Sequence, residues 1–132
     1  MTRWAFDLDG CLVDSLTGTS LRPGAVALLT ALRASGDTIV LWSAGGAGYA
    51  RQRALDHGIE RFFTSFHAKA ERDGDGRYHT AAVVDGDTMF VDDHPEDLPA
   101  TATVIALPPY LSANPHDRAL QAVSRSDAIV TS

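Results

Sequence analysis

The hydrophobic positions of this chain change period as it proceeds. Residues 3–8, RWAFDL, are short, apolar and aromatic and stop at Asp9-Gly10, the pattern of a buried strand ending in a turn. Over 21–35 the spacing turns helical: Ala25, Leu28, Leu29 and Leu32 stand at i, i+3, i+4 and i+7, with Pro23 suited to the start and Gly36 to the C-terminal cap. Residues 38–42, TIVLW, are β-branched and apolar and predict a second buried strand ending at Ser43 in the loop SAGGAG. A second helix is predicted over 47–57, closed by Gly58. Residues 59–66 then supply a third short apolar segment ahead of Lys69. The stretch ERDGDGRYHT is turn-rich, and AAVVDGDTMFVDD reads as strand, turn at Asp85-Gly86-Asp87, and strand. Residues 88–91 are the fourth core strand and 103–107 the fifth, followed by the proline-rich LPPYLSANP and a short helix near 116–124.

Continuously apolar strands alternating with amphipathic helices predict an α/β fold: a parallel sheet with helices on both faces, hence three layers. The 132 residues suit a single domain over 1–132. In such sheets sites form beyond the C-terminal ends of the strands. Four predicted strand ends carry polar groups: Asp7 and Asp9 at the first, Ser43 at the second, Lys69 after the third, and Asp92-Asp93 at the fourth.

Composition narrows the partners. Hydrophobic residues make up 45% and charged residues 21%, as in ordinary globular proteins, and no apolar run approaches the roughly 20 residues of a membrane span. The opening MTRWAFDLDG lacks the pattern of a secretory signal, and one cysteine, Cys11, suits a reducing compartment, so a cytoplasmic protein is expected. A net charge of −6 disfavours a broad nucleic-acid footprint. The charges are also skewed: 14 of 17 acids are Asp, and Lys69 is the single lysine among 11 bases.

Residues two apart on a strand face the same side, so Asp7 and Asp9 can share a crevice if the strand continues that far. Carboxylates that close repel unless a cation or a shared proton compensates, and Asp92-Asp93 could complete an oxygen-rich site of the kind Mg²⁺ prefers. Asp7-Leu8-Asp9-Gly10 also reads as a plain strand-ending turn, and Asp92-Asp93 before His94-Pro95 as a helix cap.

FDLDGCLVDS resembles the first motif of the haloacid dehalogenase (HAD) superfamily, in which a strand ends in two Asp separated by one residue. IVLWSAGG is similar to the second, a hydrophobic strand ending in Ser or Thr. Lys69 stands where the third places its Lys, and MFVDDHPED resembles the acidic fourth. The four occur in the family's order over residues 6–97. The resemblance implies a Rossmann-like, HAD-like fold and phosphoryl transfer through a phospho-aspartate. Asp7 would be the nucleophile and Asp9 the general acid and base. Ser43, the adjoining Ala44 and Lys69 would bind the phosphoryl group. Mg²⁺ would be held by Asp7, the Asp9 carbonyl and Asp93, with Asp92 in support. An Asp at position 9 favours phosphatase over dehalogenase or ion-pump chemistry. Neither usual insertion point has room for a cap, so the expected substrate, a phosphorylated compound of unassigned identity, either covers the site itself or is enclosed by a neighbouring subunit of a homo-oligomer. The interval between Lys69 and Asp92 lacks the amphipathic helix that the family usually has there.

Two other readings compete. A catalytically silent HAD-like interaction domain would bind without hydrolysis. A phospho-Asp receiver module is also small and acidic, but its acidic pair ends the first strand and its Lys comes late, the reverse of the order here. Around the strand ends Tyr49, Arg51 and Tyr110 are suited to touch a polar ligand, and His94 sits beside Asp93 at the rim, whereas the five histidines show no paired metal-ligand spacing and Cys11 reads as a packing residue.

Overall fold

The computed structural model describes residues 2–80, 83, 87–100, 102–124 and 129–130. Five parallel strands alternate with connections in chain order: β1 (Arg3–Asp7), α1 (Ala25–Ala34), β2 (Thr38–Ser43), α2 (Ala47–Asp56), β3 (Ser65–Ala68), β4 (Thr88–Asp92) and β5 (Thr103–Ala106). A two-residue strand, β6 (Ile129–Val130), adds antiparallel to β5. The sheet order is β3-β2-β1-β4-β5-β6. Successive connections run outward from β1 to β3, then return across the sheet to β4, so the order reverses between β1 and β4. That reversal makes the fold the doubly wound, Rossmann-like α/β class expected from the sequence, with its switch point at the C-terminal ends of β1 and β4.

The apolar strands are buried on both faces. Trp4 and Phe6 of β1, Ile39 and Leu41 of β2, Val91 of β4 and Ile105 of β5 share one cluster with Ala25 and Leu29 of α1 and with Ala50 and Ala54 of α2. Helix α1 is shorter than the predicted 21–35. It begins after Pro23, and its end is fixed where Gly36, at φ +84°, turns the chain toward β2. Asp37 in that turn accepts hydrogen bonds from Thr2 N (2.8 Å) and Trp4 Nε1 (3.0 Å), which ties the incoming β1 to the start of β2.

The opposite face differs from the expectation of helical cover. Ala5, Val40, Trp42, Phe90 and Val104 are covered there by Tyr78, Val83, Leu98 and Ala102, which lie outside any α-helix. Among the described residues the helical content of this side is a single 3-10 turn, Pro95–Asp97. Residues 71–80 fold back on themselves: Arg72 bridges Tyr78, and Asp73 Oδ1 accepts from the backbone N–H groups of Asp75 and Arg77. The strand and turn read over 81–87 fall mainly outside the described residues. The helix expected near 116–124 is only a 3-10 turn, Ala119–Ala122, with Leu120 as its buried anchor. No helix is long and apolar enough to cross a membrane among the described residues. No cap is inserted after β1, where 14–20 form a tight loop, or between β2 and β3, where α2 and a 3-10 turn fill the interval.

Candidate functional site

The polar residues at the strand ends meet at the switch point. Asp7 closes β1 and Asp92 closes β4, and alternation puts both on the sheet face that carries Ala5, Trp42 and Phe90. Lys69 follows β3, its backbone N–H donating to Ser43 O (2.9 Å). Its ammonium spans the gap between strands: Nζ donates to Asp7 Oδ1 (2.9 Å) and to Asp92 Oδ2 (3.0 Å), with all three side chains buried. The rings of Trp42 and Tyr78 flank it, their centres 5.0 and 5.6 Å from Nζ. Aromatic faces favour a cation held there, so a lysine can be buried without losing its charge.

Asp93 joins the group from the loop after β4. One oxygen from each of Asp7, Asp92 and Asp93 lies within 4.8 Å of the others. Asp92 is already engaged, accepting from Lys69 and, through Oδ1, from His94 N (2.8 Å). Asp93 Oδ1 is buried without a hydrogen-bond partner. Gly10 lies directly against this carboxylate: at φ +78°, a Cβ added to it would stand 2.5 Å from Asp93 Oδ2. A side chain at position 10 is therefore excluded by conformation and by space.

Three buried carboxylates facing one ammonium leave the cluster short of positive charge. Burial pushes the Asp7 carboxyl up to about 7; Lys69 opposes that rise and the neighbouring Asp93 adds to it. Asp92 rises to about 6, again from burial, reinforced by Asp7 and opposed by Lys69. Burial acts to lower Lys69, but Asp7 and Asp92 outweigh it and hold the ammonium above the usual lysine range. This is the environment in which a hard divalent cation is favoured. The unpartnered Asp93 oxygen beside Asp7 fits such an ion better than it fits an empty core.

Asp9 and Ser43 complete the rim. β1 stops at Asp7, so Asp9 is placed not by strand alternation but by an isolated bridge to Val13 in the turn that follows. Its carboxylate Oδ1 accepts from Tyr49 Oη (3.0 Å) in α2. Burial, with the Asp9 carboxylate adding, raises the Tyr49 phenol, which keeps it a donor. Ser43 Oγ, buried at the end of β2, accepts from Gly45 N (3.1 Å), while Ala44 is exposed beside it. His94 is exposed, 3.5 Å from Asp93 Oδ2 and 3.0 Å from Glu96 Oε1, and the Glu96 hydrogen bond raises it.

Two candidates leave the site. Tyr110 is buried and packs under the Arg22 guanidinium (5.2 Å), its hydroxyl accepting from Asn114 N (2.9 Å). Arg51 points to Glu60 (3.9 Å) on the surface. Cys11 is fully buried, and burial first, then the nearby acids, keeps its thiol protonated. Sequence reading missed Arg22, whose buried guanidinium joins Asp117 (2.8 Å) to the carbonyls of Cys11 (3.3 Å) and Pro108 (2.7 Å) and so fixes the loops beneath the rim. No local signal marks it, because its partners lie 11 to 95 residues away.

Fold and site together define a doubly wound α/β domain with an acidic, lysine-bridged centre at its switch point. No family model matches the chain, and no curated protein matches it. Among solved structures it is similar to the NMR structure of the core domain of "a putative phosphoglycolate phosphatase from Streptococcus pneumoniae TIGR4", at 20% identity and a TM-score of 0.47, over 70% of this chain and 66% of that one.

Proposed function

We propose that the protein is a Mg²⁺-dependent phosphomonoester hydrolase that works through a phospho-aspartate on Asp7. The observation that carries this reading is the buried cluster in which Lys69 bridges Asp7 and Asp92 while Asp93 offers an unpartnered oxygen beside them. Asp7 and Asp93, with the carbonyl of Asp9, are the groups that would hold the ion, and Asp92 orients Lys69 and the following turn. When bound, the ion offsets the repulsion between an anionic nucleophile and an anionic substrate.

The chain's own groups then divide the reaction. An Asp7 carboxylate oxygen attacks phosphorus, and the bond from phosphorus to the ester oxygen breaks with its electron pair on that oxygen. Asp9 gives its proton to the leaving oxygen, so an alcohol departs and Asp9 is left a carboxylate. Water next attacks the phosphorus of the aspartyl phosphate and passes a proton back to Asp9. The bond to Asp7 breaks with its electron pair on Asp7, releasing phosphate. Lys69 neutralises charge on Asp7 and on the phosphoryl oxygens, and Ser43 binds those oxygens beside Ala44. A complete set of such groups favours an enzyme over a silent binding domain. The rim is uncapped and carries Leu16 and Leu111, 77% and 62% exposed, joined through their backbones. That edge suits a large phosphorylated substrate or a neighbouring subunit as lid.

The test is hydrolysis of 4-nitrophenyl phosphate with Mg²⁺. Turnover is expected from the wild type and lost both with chelator and in Asp7→Asn. Metal-independent turnover, or an Asp7→Asn variant as fast as wild type, overturns the proposal.

A further inference from the structure

Asp7 and Asp92 are gripped by Lys69, whereas Asp9 stands at the half-exposed rim beyond the end of β1. Among the described residues its carboxylate has one side-chain hydrogen-bond partner, the Tyr49 hydroxyl at 3.0 Å. That partner stands on α2, 40 positions along the chain, so a hydrogen bond across the fold orients the Asp9 carboxylate. Tyr49 is itself well held. Its ring packs against the core beneath α2 and lies on Gly45, where an added Cβ would sit 2.7 Å from ring carbon Cδ2. The Arg53 guanidinium covers the ring, 5.5 Å from its centre. The glycine in SAGGAGY thus leaves room for a ring whose hydroxyl reaches across from α2 to the loop after β1.

We propose that Tyr49 is a positioning residue for Asp9: by occupying Oδ1 it fixes the carboxyl so that Oδ2 is the oxygen that exchanges a proton with the leaving group. This rests on the phosphatase reading above and assigns a residue that the four strand-end motifs do not contain. In the first half-reaction the proton on Asp9 Oδ2 moves to the ester oxygen as the bond to phosphorus breaks; in the second, a proton from water returns to Oδ2. Tyr49 keeps its own proton throughout and touches neither phosphorus nor leaving group.

The role has a signature that general loosening of the fold lacks. Proton donation matters most when the leaving alcohol is a poor one and little when it departs readily as an anion. Tyr49→Phe keeps the ring, its seat on Gly45 and its contact with Arg53. It is expected to lower kcat/KM, which reports the step that expels the alcohol, for an alkyl phosphate on the order of tenfold to a hundredfold, the range of one hydrogen bond to a charged group, while changing kcat/KM for 2,4-dinitrophenyl phosphate by less than about twofold. In an Asp9→Asn background the same substitution is expected to have no further effect on the alkyl ester, which shows that it acts through Asp9. An equal loss on both substrates, no loss on either, or a full additive loss in the Asp9→Asn background overturns the role of Tyr49 while leaving the phosphatase intact. A wild-type protein inert toward both esters with Mg²⁺ overturns the phosphatase reading, and this role with it.

Discussion

Removing the ammonium at the centre of the cluster is the sharpest test of how the site is held. Lys69→Met keeps the length of the side chain and its contact with Trp42 and Tyr78, so little cavity is created and what is lost is charge. The Lys69 side chain is 6% exposed, that of Asp7 10% and that of Asp92 1%, so solvent screens these pairs weakly. Breaking such a buried pair costs about 3–5 kcal/mol because the partner charges are left uncompensated. Those partners can escape by taking up protons. Asp7 at about 7 and Asp92 at about 6 are already raised above their ordinary 3.8, and losing Lys69 removes the group that holds them down. A carboxyl whose folded value is raised favours the folded state below its unfolded value and loses that contribution as pH rises through the folded value. The deficit of Lys69→Met is therefore smallest near pH 4 to 5, where both carboxyls are protonated, and grows as pH rises through about 6 to 7 and above. Urea unfolding of both proteins with chelator at pH 5 and pH 8 measures it. A deficit as large at pH 5 as at pH 8, or one below about 1 kcal/mol at pH 8, refutes the reasoning.

Lys69→Arg keeps the charge but must fit a fork between Trp42 and Tyr78; it is expected to lose about 1–3 kcal/mol to overpacking in urea unfolding and about 10²- to 10³-fold in kcat for the proposed hydrolysis of 4-nitrophenyl phosphate. Asp93→Asn removes the unpartnered carboxylate, so it is expected to raise the metal-free stability by about 1–2 kcal/mol while abolishing the thermal shift that Mg²⁺ is expected to give the wild type; an undiminished shift refutes Asp93 as a ligand. Gly10→Ala adds about 1–2 kcal/mol of left-handed strain and forces Asp93 aside, so titration calorimetry should show Mg²⁺ affinity reduced at least about tenfold with Asp7 and Lys69 intact. On the proposed reading the ion would displace the proton from Asp7 and be favoured by an ionised Asp92 beside it, so Mg²⁺ affinity is expected to rise with pH across the range from about 5 to 8, with proton release in calorimetry; a flat profile contradicts the raised values of these two groups.

Strands β1, β2, β4 and β5 were legible because each is a largely apolar run, and the ends of β1, β2 and β4 because Asp7, Ser43 and Asp92 interrupt such a run abruptly. By contrast, β3 is the half-buried SFHA at the end of the 59–66 segment, most of which forms a 3-10 turn and its flanks, and β6 had no signal. The helices α1 and α2 followed from period and from Gly36 and Gly58. Illegible were the contacts that cross the fold. Tyr49 reaches Asp9, and Arg22 reaches Asp117, over separations that leave no spacing to detect. The second face was legible only in part: the want of a helix between Lys69 and Asp92 showed in the sequence, but the residues that cover the sheet there did not, for a related reason. Tyr78, Leu98 and Ala102 cover it singly, set in polar or proline-containing stretches, and isolated apolar residues carry no period.

That irregular face bears on the chemistry. A right-handed return from β3 to β4 must pass over the sheet face that carries Trp42. With residues 71–80 folded as a hairpin-like loop, Tyr78 comes within 5.6 Å of Lys69 Nζ, while its backbone N–H donates to Asp97 O (2.7 Å) and Arg77 Nη1 donates to Leu98 O (2.9 Å). One segment thus walls the lysine and braces the chain that leaves Asp92-Asp93. The cationic and the acidic sides of the cluster share this loop as a support in addition to the paired strand ends that carry Asp7 and Asp92. The charge imbalance of that cluster, a cost to folding when no ion is bound, falls on the ends of the central strands β1 and β4, which neighbouring strands pair on both sides and which Lys69 links.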